Sequence, residues 1–151
     1  MEGRAIQTEA LLLRLDVARQ RMGANAIIAT DGDGTLWAGD IGDALFETLL
    51  AERGVRQQAA GMLRDEAQRF GVAVSDQATP TEVAATLLES YRTGGYAEDR
   101  AFAMMAWSFA GWTEEELAVF SRRVLHDFGF ENALREELKV VLQWAAEKAV
   151  P

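Results

Sequence analysis

One short stretch constrains this chain more than any other: Ala26-Ile27-Ile28-Ala29-Thr30, followed at once by Asp31-Gly32-Asp33-Gly34. The run is apolar and partly β-branched. A helix so short would be marginal alone, so the pattern predicts a buried strand running into a turn. The rest reads as helix. Leu11, Leu15, Ala18 and Met22 recur at helical spacing up to Gly23. Leu45, Phe46, Leu49 and Leu50 form a second apolar face that Gly54 closes, and the segment 55–70 ends at Gly71. Residues 72–78 read as a loop. Thr79-Pro80-Thr81-Glu82 has the spacing of a capping box with proline in the first turn. Val83, Leu87 and Tyr91 then share a face, which Gly94-Gly95 interrupts. Helices are expected over 98–110, after the second capping box Thr113-Glu114-Glu115-Glu116, and over 132–148. In the last, Leu134, Leu138, Val141 and Ala145 form one stripe.

Charge and residue usage exclude several classes. Fifteen Lys and Arg against 24 Asp and Glu give a net charge of −9, the wrong sign for a nucleic-acid backbone partner. Without cysteine there is neither a disulfide framework nor a thiolate metal site. His126 stands alone, near an expected helix C-terminus that favours a cation. Trp107, Trp112 and Trp144 read as core or interface residues, and Arg122-Arg123 as a solvated face. Met1 to Gln7 lacks a basic start followed by a long apolar run, and no apolar stretch reaches membrane-spanning length. A cytoplasmic protein without a membrane partner is expected.

The chemistry-bearing stretch is Ile27 to Trp37. Two aspartates stand two apart at the end of an expected strand, where ligands bind in open α/β sheets. Gly32 and Gly34 permit a tight backbone and close approach of an anion. Paired carboxylates can share a divalent cation and divide nucleophilic and acid–base work.

This stretch resembles the first motif of the haloacid-dehalogenase (HAD) superfamily, a hydrophobic strand followed by Asp-x-Asp-Gly-Thr-Leu. The resemblance implies an α/β, Rossmann-like core, of which this chain would supply one strand amid helices. It implies a Mg2+-dependent phosphomonoester hydrolase working through an aspartyl-phosphate. Asp31 would be the nucleophile and Asp33 the acid–base group. Asp31 would bind Mg2+ through its carboxylate and Asp33 through its backbone carbonyl. Backbone N–H groups around Gly32 and Gly34 would hold the phosphoryl group, with Thr35 supporting the loop. The helical stretch after the motif is similar to the cap of the phosphoserine-phosphatase-like subgroup. The implied division is 1–41 for the start of the core with its catalytic loop, 42–127 for the helical cap and 128–151 for a helix returning to the core. Gly39-Asp40-Ile41-Gly42-Asp43 reads as the hinge.

Asp40 falls where phosphoserine phosphatases hold the substrate amine with a glutamate, and Trp37 follows the motif closely enough to line the site. Gly34 replaces those enzymes' serine, and their Phe-x-x-Ser-Leu-x-x-Arg-Val cap segment is absent. The implied substrate is therefore a small phosphorylated metabolite rather than phosphoserine in particular. The family's later motifs would lie after Pro151, so the chain reads as a fragment, inactive alone and prone to self-association through an unpaired strand. The alternative is a non-enzymatic helical interaction or calcium-binding module. On an EF-hand pattern Asp31, Asp33 and Asp40 fall at ligand positions, but Ala29 stands where the first acidic ligand belongs.

Overall fold

The structure, a computed structural model, describes residues 7–151. The reading of Met1 to Ile6 lies outside them. The chain divides into two compact units. One comprises residues up to Asp40 together with 129–151, and the other is 41–128.

The contiguous unit is helical. It contains α2 (Ile41–Ala51), a 3-10 turn (Gln57–Ala59), α3 (Ala60–Arg69), α4 (Pro80–Arg92), α5 (Glu98–Trp107) and α6 (Glu114–Phe128). The apolar spacing of the sequence becomes its core. Phe46 and Leu49 of α2, Leu63 and Ala67 of α3, and Val83, Ala84, Leu87 and Leu88 of α4 pack with Met104 of α5 and with Phe120 and Val124 of α6. Truncating a fully buried leucine such as Leu63 or Leu87 in a core of this kind costs about 2–5 kcal/mol.

Helix ends follow local chemistry. The Thr79 hydroxyl accepts the Glu82 N–H while the Glu82 carboxylate accepts the Thr79 N–H at 2.7 Å, so the first capping box forms with Pro80 in the first turn. The second forms too: Thr113 N–H donates to Glu116 at 2.8 Å and Glu116 N–H to the Thr113 hydroxyl. Gly71 and Gly94 take left-handed backbone angles after α3 and α4. The next N–H in each case reaches back five residues, Val72 to Ala67 and Gly95 to Ser90. The end of α2 differs from the expectation. Arg53 takes the left-handed angle (φ 54°) and Gly54 donates to Leu49. Gly54 is needed for space, since a Cβ there would lie 2.7 Å from Leu49 Cδ1.

Ion pairs join these helices. Arg92 pairs with Glu47 across α4 and α2. Arg123 pairs with Glu52 at 2.7 Å, so α6 is tied to the turn just after α2 through a residue read from sequence as a solvated face. Arg56 forks onto Glu116, with bonds of 3.0 and 2.8 Å. The most enclosed charge is Glu66, 4% exposed. It accepts two bonds from Arg100, at 2.7 and 2.8 Å, and one from the Tyr96 hydroxyl at 2.8 Å. Arg64 holds the 72–78 loop by donating to the carbonyls of Ser75 and Asp76.

The other unit contains α1 (Thr8–Met22), a 3-10 turn (Gly23–Asn25), α7 (Phe130–Ala133) and α8 (Glu136–Glu147). Helices α1 and α8 pack together, and Val141, Trp144 and Ala145 are buried. Two expectations fail here. The predicted buried strand does not form: residues 26–30 have no regular secondary structure, and no strand occurs among the described residues. Ala26 is buried, but Ile27 is 73% exposed. A strand needs neighbours to take its backbone groups and cover its faces. Of the 27–30 backbone, Ile28 N–H finds the Pro151 carbonyl at 2.9 Å, which is one link rather than a ladder. The final helix over 132–148 is also interrupted. Leu134 is extended (ψ 130°) and forms an antiparallel bridge with Trp37, so its place on the apolar stripe gives way to a long-range backbone pairing. Among the described residues no helix is long and apolar enough to cross a membrane.

Two stability experiments follow. Arg100→Ala strips a buried carboxylate of its partner and is expected to cost about 3 kcal/mol in denaturant unfolding; a loss below 1 kcal/mol would contradict the enclosure of Glu66. The second is acid unfolding. Arg100 hydrogen bonds hold the Glu66 carboxyl below the usual range, the Thr79 backbone N–H does so for Glu82, and Arg56 with Thr113 brings Glu116 to about 2. Depressed folded values mean that the unfolded chain binds more protons in acid. The thermal midpoint should change little through these groups above pH 5 and fall progressively below the unfolded glutamate value of about 4.3, with the loss of the Glu116 share complete only as pH nears 2. A midpoint that rises on acidification below pH 4 would refute this assignment.

Candidate functional site

The Asp31-to-Gly39 loop follows the irregular 26–30 segment and folds back on itself. Gly32 is its pivot. The Gly32 carbonyl accepts from the N–H groups of Thr35 (3.1 Å), Leu36 (2.8 Å) and Trp37 (3.3 Å). Gly34 N–H donates to the Gly39 carbonyl at 3.1 Å, and both of those glycines lie at positive φ, 69° and 88°. A residue with a Cβ would pay for either angle.

The other arm is clamped by the 133–135 segment. Ala38 N–H donates to the Ala133 carbonyl and Arg135 N–H to the Leu36 carbonyl, each at 2.9 Å. The Arg135 guanidinium donates to the Gly34 carbonyl at 3.0 Å. Sequence reading missed Arg135, because its place next to an apparent helical stripe carried no signal of a contact 101 positions upstream.

The acidic side chains occupy different settings. Asp31 is exposed and its Oδ2 accepts the Thr35 hydroxyl at 3.3 Å; the Thr30 hydroxyl donates to the Asp31 carbonyl at 3.0 Å. Asp33 is exposed as well, and its Oδ1 accepts the Trp37 indole N–H at 2.7 Å. The indole crosses directly over Gly32, where an added Cβ would sit 2.5 Å from Trp37 Cη2. Phe130 meets the same ring edge-to-face at a centroid distance of 5.2 Å. Trp37, expected to line the site, thus lies against the loop. Asp40 is exposed at the loop's far end. The loop therefore brings Asp31 to Thr35 and Asp33 to Trp37, while the Gly34 N–H named for phosphate binding is engaged by Gly39.

Both aspartates offer hard oxygen donors, the type Mg2+ takes. Among the described residues no three His, Cys, Asp or Glu side chains gather into a metal-holding group. The donor set fits a cation held by few protein oxygens that keeps several of its waters, as Mg2+ commonly does. It does not supply a dedicated cage.

No protein-family model matches the sequence, and no curated protein or solved structure is detectably similar to it.

The packing at Gly32 gives a paired test. Gly32→Ala should push the Trp37 ring aside and break its bond to Asp33. Gly34→Ala meets open space and pays only for its backbone angle, roughly 1–2 kcal/mol. In 1H–15N spectra the Trp37 indole signal should move far more in Gly32→Ala than in Gly34→Ala. Equal shifts would contradict the contact.

Proposed function

We propose that this chain carries the nucleophile loop of a Mg2+-dependent phosphomonoester hydrolase of the HAD type, acting on a small phosphorylated metabolite. The observation that carries the reading is the Asp31–Thr35 turn. An exposed carboxylate is steadied by the hydroxyl four residues on, on a glycine-permitted turn that follows a non-helical segment. The non-helical approach favours this reading over a calcium loop, which would need a helix running into it.

In the proposed reaction an Asp31 carboxylate oxygen attacks phosphorus and the bond to the leaving alcohol oxygen breaks. Protonated Asp33 gives that oxygen its proton. Asp33 then takes a proton from water, the water oxygen attacks phosphorus, and the acyl-phosphate bond opens to release inorganic phosphate and restore Asp31. Bound Mg2+ would offset the charge between carboxylate and phosphate, held by the Asp31 carboxylate and the Asp33 backbone carbonyl. Thr35 keeps the Asp31 carboxylate oriented. Gly34 N–H would serve the phosphoryl oxygens once it leaves Gly39. Asp40, beyond the turn, is the residue assigned to the substrate's non-reacting end.

The test is a Mg2+-dependent phosphatase screen on the protein at its natural length, comparing wild type with Asp31→Asn. The variant should retain its fold and lose at least about a thousandfold in turnover, as nucleophile removal commonly does. Asp33→Asn should also cripple turnover through loss of the acid–base group. Near-normal hydrolysis by pure Asp31→Asn would overturn the assignment.

A further inference from the structure

The Trp37 indole does something that the motif alone does not announce. Its N–H reaches back four residues to the Asp33 carboxylate at 2.7 Å. This side-chain bond has a carboxylate acceptor, which makes it stronger than a neutral one. The ring cannot easily leave. It lies over Gly32, where no side chain interposes, and Phe130 braces it edge-on. Its backbone is fixed as well, because Trp37 bridges to both Asp33 and Leu134. Three separate contacts thus aim one N–H at one carboxylate oxygen.

We infer that Trp37 is a positioning residue that holds the Asp33 side chain out of the divalent-cation shell and so keeps it for proton transfer. The inference rests on the proposed phosphatase reading, in which Asp31 and Asp33 have different tasks. Two carboxylates two residues apart on an exposed loop would otherwise both be drawn to the same cation, since charged ligands raise affinity for it. A metal-bound Asp33 carboxylate would be a poor proton carrier. The indole competes for that carboxylate with a neutral donor. It fixes the side chain without adding a charge that would repel the cation, as a lysine or arginine would.

The role makes an unusual prediction: removing a contact should tighten metal binding. Trp37→Phe keeps a ring on Gly32 and against Phe130 but deletes the N–H. In the 151-residue chain, Mg2+ is titrated and followed through the Gly32 and Gly34 amide signals of wild type, Trp37→Phe, Asp33→Asn and the double variant. Trp37→Phe should bind Mg2+ roughly three- to tenfold more tightly, a coupling of the size that contacting residues show. The gain should vanish within about twofold when Asn stands at position 33, because the released group is then not a carboxylate. Amide dispersion in the same spectra reports whether each variant is folded, and Trp37→Tyr repeats the test if phenylalanine packs badly. Weaker binding in folded Trp37→Phe, or the same change with and without the Asp33 carboxylate, would overturn the role while leaving the phosphatase reading standing. No saturable Mg2+ response in wild type or any variant would overturn the role as well, while the phosphatase reading would still be decided by the turnover of Asp31→Asn. An activity assay is not required for any of these outcomes.

Discussion

Backbone polar groups that leave regular structure must still find partners, and this requirement organises the whole non-helical part of the chain. Residues 28–39 form neither helix nor sheet. Their hydrogen bonds turn inward onto the Gly32 carbonyl, or outward to Pro151, Ala133 and Arg135. The loop's form therefore depends on segments far away in sequence. Leu134 gives up helical geometry to provide that pairing, and α7 and α8 are separate helices as a result. Burying Val141 and Trp144 against the rest of the unit fixes α8, which begins directly after the pairing segment. Apolar burial thereby supports a polar loop.

The contiguous helical unit meets the same requirement locally. Capping boxes start α4 and α6, left-handed residues follow α2, α3 and α4, and the core contains mostly hydrocarbon. Its enclosed charge, Glu66, is answered by a forked guanidinium and a phenol. Each surface ion pair adds little by itself. Their placement is still informative, since Glu47–Arg92 fastens α2 to α4 and Glu52–Arg123 fastens the turn just after α2 to α6.

What was legible in the sequence was what is encoded within a few residues. The Thr79 and Thr113 caps, the Gly71 and Gly94 ends and the apolar faces of α2, α4 and α6 were all readable for that reason. The end of α2 was half readable: Gly54 marked the place, but the left-handed residue is Arg53. The Ala26–Thr30 run illustrates the limit. Its composition suits a strand, but a strand is a relation between segments, and composition does not provide the second segment. Leu134 failed in the opposite direction, since helical periodicity continued through a residue whose backbone was committed to Trp37. At the candidate site, the two aspartates and the glycines were visible in the sequence. The roles of Arg135 and Trp37 were not, because one depends on a contact spanning 101 positions and the other on the direction in which a ring folds.

That long span also has a consequence in time. The Asp31–Gly39 segment leaves the ribosome well before the residues that clamp it, because Arg135 follows Gly34 by 101 positions. At ordinary elongation rates of roughly 5–20 residues per second, the delay is on the order of 5–20 seconds. During it, the intervening 41–128 unit has all its own partners and is free to collapse, since helix formation and local packing take far less time. The aspartate loop closes only when the 133–135 segment arrives. Its assembly thus trails that of the helical unit, and a nascent chain stalled just after α6 would have every helix of the 41–128 unit but a loop still without its clamp.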